Sequence, residues 1–216
     1  MPLPPPLPAL PPAAAPDPTL AKALTETRAW VTHAVIGLNL CPFAKAVESK
    51  GLVRYVASDA SDAAGVLAAL RVELQALVAA PATQVETTVL VLPNALADFL
   101  EFNDLVGRAD RLLRKLGLEG EIQLATFHPR YQFAGTTADD ITNATNRAPW
   151  PSLHLLRESS IDRAVAAMPE AEAIYENNLA TLKRLGPEGW QAVLAACVAD
   201  MPFESAPAQL GPSIKA

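Results

Sequence analysis

A short β-branched and aliphatic run, Thr87 to Leu92, is stopped by Pro93 and lies between two long helix-patterned stretches. It constrains this chain more than any other feature. A run without polar alternation marks a strand covered on both faces, and such strands belong to sheets with helices packed on each side. Before it, Ser61 to Ala80 is rich in Ala and Leu and ends at Pro81, which suits a helix. After it, Asn94 is placed to cap a helix that continues to Leu116 and is closed by Gly117. The alternation extends outward. Leu20 to Leu38 has apolar residues at helical spacing after Thr19 as an N-cap, and Leu52 to Ala57 is short, β-branched and aromatic, as a strand would be. Ile122 to Phe127 and Leu153 to Arg157 read as third and fourth strands. Ser159 with Asp162 has the spacing of a capping box, opening helical segments that run, with a break at Pro169, to Leu185. Gly186 and Pro187 stop that helix, and Trp190 to Ala199 forms a last one. Strands separated by helices predict a single α/β domain with a mixed, mainly parallel sheet of about four strands flanked by helices. The third and fourth strands have no helix between them, so they are expected to pair antiparallel.

With 216 residues, 50% of them hydrophobic, the chain has material for one substantial core. Nine of its first eighteen residues are proline, which predicts an extended, polyproline-like tail over 1–18. The domain is placed at 19–201, with a second loose end at 202–216. No apolar run reaches the length of about 18 residues that a bilayer requires, so no membrane partner is expected. A net charge of −6 and a pI near 5.1 argue against a phosphate-backbone partner, because nucleic-acid affinity is mostly cationic neutralisation. Only Cys41 and Cys197 are present, in unrelated contexts, which fits a reducing cytoplasm.

The chemistry-bearing residues concentrate between Thr126 and Glu158, where His128, Tyr131, Asn143, Asn146, Arg147, His154 and Arg157 surround a connection from Pro129 to Pro151. A loop of that length is either functional or disordered. Tyr131, Phe133, Ile141 and Trp150 give this one the means to anchor itself, which predicts a site. Arg147 and Arg157 with Asn143 and Asn146 suit a small carboxylate or phosphate, because guanidinium groups present paired donors and amides add donor and acceptor. The opposing reading is that the Asn side chains only tie down loop backbone. His128 or His154 supplies a general acid or base. His128 shares a strand face with Ile122, Leu124 and Thr126, and His154 shares one with Leu156 and Glu158; register decides whether the two faces coincide.

The segments GLNLCPFAKAV at Gly37 to Val47, ETT at Glu86 to Thr88, FND at Phe102 to Asp104, FHPRYQFAG at Phe127 to Gly135 and NATNRAPWPSLHLLRE at Asn143 to Glu158 resemble the bacterial domain of unknown function 1415 family. The resemblance spans approximately Trp30 to Leu185 and implies no catalytic residues. Within the first motif, Pro42 sits where a helix can begin, which would put Cys41 at an N-cap where free N–H groups favour a thiolate. Cys-Pro-Phe-Ala is also similar to the active-site turn of monothiol glutaredoxins and omega-class glutathione transferases, over those few residues only. Cys197, inside Val193 to Val198, reads as a core residue. No HxxxH, HxH or CxxC pair exists, so no metal is assigned and the cofactor is left unknown; a P-loop, a GxGxxG fingerprint and a GxSxG elbow are also absent.

Together these readings predict a cytoplasmic enzyme acting on a small anionic molecule, with His128, His154 and Cys41 as catalytic residues. Arg147, Asn143, Asn146, Tyr131 and Arg157 would bind the substrate. The alternatives are a non-catalytic interaction or small-molecule-binding module, and Cys41-dependent thiol chemistry. The oligomeric state is left open.

Overall fold

A computed structural model describes residues 17–167 and 173–199. Residues 1–16 of the expected N-terminal tail, the loose end expected at 202–216 and the break at Pro169 lie outside the described residues.

The fold is a single α/β domain around a four-stranded sheet. Strands β1 (Val53–Ala57), β2 (Thr87–Val91), β3 (Ile122–Phe127) and β4 (Ser152–Arg157) are ordered β1-β2-β4-β3. β1 and β2 run parallel, whereas β4 is antiparallel to both β2 and β3. The sheet is therefore mixed, but parallel in only one of its three pairings, because β4 returns directly through the long loop and inserts between β3 and β2.

Helices α3 (Ala63–Ala79) and α4 (Phe99–Lys115) cover one face of the sheet. Leu90, Leu153, Leu155 and Ile122 point to that side and pack against Leu70, Leu74 and Leu77 of α3 and Phe102, Leu105 and Leu113 of α4, all of them buried. Asp62 caps α3 through Gly65 N–H, and Asp98 caps α4 through Leu100 and Glu101 N–H. The expected cap at Asn94 is displaced by four residues. Ala95 and Leu96 are drawn into the core, with Leu96 in the left-handed region at φ 60°, and the helix starts only after them.

The opposite face is covered by α1 (Pro18–Trp30), by the π-helical segment Val31–Ile36 that continues it, and by the long helix α6 (Ile174–Ala199), bent at Gly186 where φ is 71°. Asp17, not Thr19, caps α1. Two short helices, α2 (Ala44–Ser49) and α5 (Glu158–Ala166), flank the same face without contributing a buried residue. The capping box expected at Ser159 does not form. α5 starts directly from β4, with Arg157 at its N-cap position and no side-chain cap. No helix among the described residues is long and apolar enough to cross a membrane.

Candidate functional site

Register divides the site residues. Ala125 pairs with His154 and Thr126 with Leu153, so His154 lies on the α1 side while the Thr126 side faces α4. His128, just beyond β3, packs between Phe99 and Phe102 of α4 and is fully buried. Its Nε2–H donates to the Leu96 carbonyl at 3.1 Å and its Nδ1 accepts from Arg130 N–H at 3.0 Å. With both nitrogens engaged and burial holding its pKa below the ordinary value, His128 is a neutral structural linker. The structure does not bring it to His154.

The long loop is tied to itself. Asn143 accepts from Phe133 N–H and the Thr136 hydroxyl and donates to the Thr137 carbonyl. Asn146 donates to the Thr126 carbonyl, and Arg147 donates to the carbonyls of Tyr131 and Ala138. The Tyr131 ring packs on Phe99 and Phe133. Arg157 gives one guanidinium nitrogen to the carbonyls of Leu77, Ala80 and Val85, closing the C-terminal end of α3. Most of these partners are backbone atoms, so the geometry favours loop architecture over ligand capture for all five residues.

His154 lies elsewhere, in a cavity of about 730 Å3 between the α1 face of the sheet, α2 and α5. The floor is two rows across the sheet: Val53, Thr87, Leu156 and Gln123, then Tyr55, Val89, His154 and Ala125. Phe127 and Trp30, ring centroids 5.1 Å apart, stand where the third row begins. Val31 and Val35 of the π segment, Phe43 and Val47 form one wall, and Ile161 and Ala164 of α5 the other.

The π turn and the motif after it shape this wall. Gly37 N–H donates to Thr32 O and Leu40 N–H to Val35 O, each reaching back five residues. A Cβ on Gly37 would stand 2.3 Å from the His33 carbonyl oxygen, so only glycine fits there. The chain then turns through Asn39, at φ 54°, and lays Cys41, Pro42 and Phe43 along the cavity. π turns concentrate at functional sites, which is consistent with their place here. Cys41 is half-buried and shares the cavity with His154. The helix-start argument for its thiolate does not carry over: α2 begins at Ala44, two residues after Pro42, and is only six residues long.

Polar groups are few. Tyr55 donates to Glu48 at 2.8 Å beneath the Arg28 guanidinium, and burial pushes its phenol well above its ordinary range, so it stays protonated. The Thr87 hydroxyl lies 2.6 Å from both His154 Nε2 and the Leu155 carbonyl. A carbonyl only accepts, so the single hydroxyl proton goes to Leu155 and Thr87 must accept from Nε2–H. That fixes the His154 tautomer and leaves its Nδ1 lone pair without a partner among the described residues. Burial pushes the His154 pKa down to about 4, so the ring is neutral at pH 7. The Trp30 indole N–H is likewise buried and unpartnered among the described residues. Lys50, Glu86, Arg157 and Arg163 border the cavity, with Arg163 3.3 Å from Glu86. Among the described residues, no group of three or more His, Cys, Asp or Glu is arranged to hold a metal ion.

Residues 22–192 match the family model described as "Protein of unknown function (DUF1415)". The chain belongs to this family. Neither the curated proteins nor the solved structures compared with it gave a match. The family match covers the whole cavity, including the π segment, the Cys41 motif and His154, and carries no activity with it. Sequence reasoning had named Cys41, His154 and Arg157 among the lining residues but missed Thr87, Trp30, Lys50 and Arg163. The first was read as part of a buried strand, and the others carry no local signal of a site.

Proposed function

We propose that this protein is an enzyme acting on a small anionic organic molecule held in the cavity over the sheet, with His154 as general base. One observation carries the reading: in a cavity lined mainly by apolar side chains, Thr87 holds His154 as the Nε2–H tautomer and leaves Nδ1 free. A neutral imidazole with an open lone pair is what proton abstraction needs. Desolvation keeps the ring neutral when the cavity is empty; an anion seated beside it would raise its proton affinity toward neutrality, strengthening the base when substrate is present. Ligand pockets of this size, mostly apolar with a few convergent polar groups, are typical of small-molecule sites.

Nitrogen-detected NMR of the imidazoles tests the reading. At pH 7 His154 is expected to carry its proton on Nε2, and its signals are expected to move when anionic fragments bind. Fragments that bind should then be followed for turnover in the parent protein and in His154→Gln. Turnover lost in the variant with binding retained supports the enzyme. Binding without turnover favours the competing class, a binding module, and an Nδ1-protonated ring removes the proposed base. The shared placement of Cys41 in the cavity keeps thiol chemistry as a second reading, and loss of turnover in Cys41→Ser with His154→Gln still active would select it.

A further inference from the structure

Resting on that reading, the lining of the cavity points to a class of ligand: we infer that it takes an amphipathic monocarboxylate, with the carboxylate at Lys50 and an apolar body lying over the sheet toward Trp30 and Phe127. The charge pattern selects the head group. The protein carries a net charge of −6, yet the charged residues bordering the cavity are Lys50, Arg157, Arg163 and the single acid Glu86. Their availability differs. Arg157 is part-buried and tethered through one guanidinium nitrogen to three carbonyls, with its Nε unpartnered and no ion pair among the described residues, and Arg163 is shared between Glu86 at 3.3 Å and the Ser160 hydroxyl at 3.0 Å. Lys50 is exposed and forms no ion pair among the described residues. Among the described residues Lys50 is thus the one exposed cation at the border without an ion pair, and it stands beside a paired acid, which suits a single negative charge. A phosphate dianion at the border would meet the Glu86 carboxylate with Lys50 as its one exposed unpaired partner among the described residues, since Arg157 is held back by its backbone carbonyls.

The inner lining selects the apolar body. From the border the floor passes Val53, Leu156, Val89 and Ala125, walled by Val31, Val35, Phe43, Val47 and Ile161. Val53, Ala125, Phe127 and Leu156 are only partly buried, although they lie on a sheet face whose other side is sealed by the core. Apolar surface left open within a cavity gains most from an apolar occupant. His154 lies in the second row from the border, one row in from Thr87 and Leu156, so it faces the part of the apolar body that follows the carboxylate inward.

Calorimetric titration with decanoate, decanol and decyl phosphate below their micelle concentrations tests the inference, alongside succinate as a small anion without an apolar body. The imidazole NMR signals of His154 report whether each binds in this cavity. Decanoate is expected to bind and to move the His154 signals, and decanol and decyl phosphate to bind more weakly. Lys50→Gln is expected to weaken decanoate by about tenfold, the scale of one charge-assisted hydrogen bond, while leaving decanol unchanged. Decanol equal to decanoate, or an equal loss of both in Lys50→Gln, overturns the carboxylate assignment. Decyl phosphate binding tighter than decanoate overturns the monoanion assignment. Succinate moving the His154 signals while decanoate does not overturns the apolar body and leaves the small-anion enzyme standing. If no anion of any kind binds there, both readings fall together.

Discussion

Acidification should destabilise this protein through His154, and the amount follows from its burial. In the unfolded chain a histidine protonates near 6.5, whereas in the fold His154 takes up its proton only near pH 4. Between those values the unfolded state binds more protons than the native state, so stability rises with pH through this window and is lost as pH falls from about 6.5 toward 4. At about 1.4 kcal/mol per pH unit the whole window amounts to about 3 kcal/mol. Water entering through the open side of the cavity reduces this, so a loss of about 1 to 3 kcal/mol is expected. Urea unfolding at pH 7 and at pH 4.5 measures it, comparing the parent with His154→Gln, whose amide N–H can still donate to Thr87. The parent should lose more stability on acidification than the variant. His128, also held below its ordinary value, and the Asp98 and Asp140 carboxylates contribute acid sensitivity to both proteins and cancel in the difference. Identical pH dependence in the two proteins, or an NMR titration of His154 centred near 6.5, would refute the reasoning.

Two further outcomes are expected. Arg147→Lys should lower the melting temperature by several degrees, because Lys cannot reproduce the donations to the Tyr131 and Ala138 carbonyls, worth about 1 to 2 kcal/mol together; an unchanged melting temperature in a thermal scan would make Arg147 a ligand-binding candidate again. Iodoacetamide followed by mass mapping should label Cys41 and spare Cys197, which is fully buried, donates to the Val193 carbonyl and has its thiol pushed up to about 11; native labelling of Cys197 at a comparable rate would contradict the packing of α6.

Much of the fold was legible because its strands carry their own signal. Ile122–Phe127 has the predicted bounds, and Thr87–Val91 is buried along its whole length, as a run without polar alternation requires. Pro42 signalled a helix here, but the start of α2 at Ala44 and its end were not legible because it is six residues long with no buried face, so it leaves no apolar periodicity to read. The start of α4 was misplaced because tertiary burial of Leu96 outweighed the capping preference of Asn94. In the site, the long loop was recognised as ordered and specific, but its polar side chains turn inward onto backbone, which composition alone does not distinguish from ligand binding. His128 and His154 fall on opposite sides through a pairing of Ala125 with His154 that no residue type dictates. Lys50 and Arg163 come from two short helical regions that meet only across the finished sheet, so their partnership at the cavity was written in topology rather than in any motif.

Because α2 and α5 bury no residue, they are the parts of the cavity's lining least held in place by the core. Segments with few buried contacts open with small free energies, while β2 and β4, central in the sheet, open only with the whole domain. The cavity thus has a rigid floor, a core-anchored stretch of wall at Val31, and two short helices that would open at lower cost than either. A guest would be admitted by fluctuation of those helices without disturbing the Thr87 and His154 pair beneath, and once seated it would supply the apolar contacts that both short helices lack. Occupancy and local order would then rise together, so the slowest step in releasing a bound molecule would be the loosening of two helical turns rather than any change in the sheet.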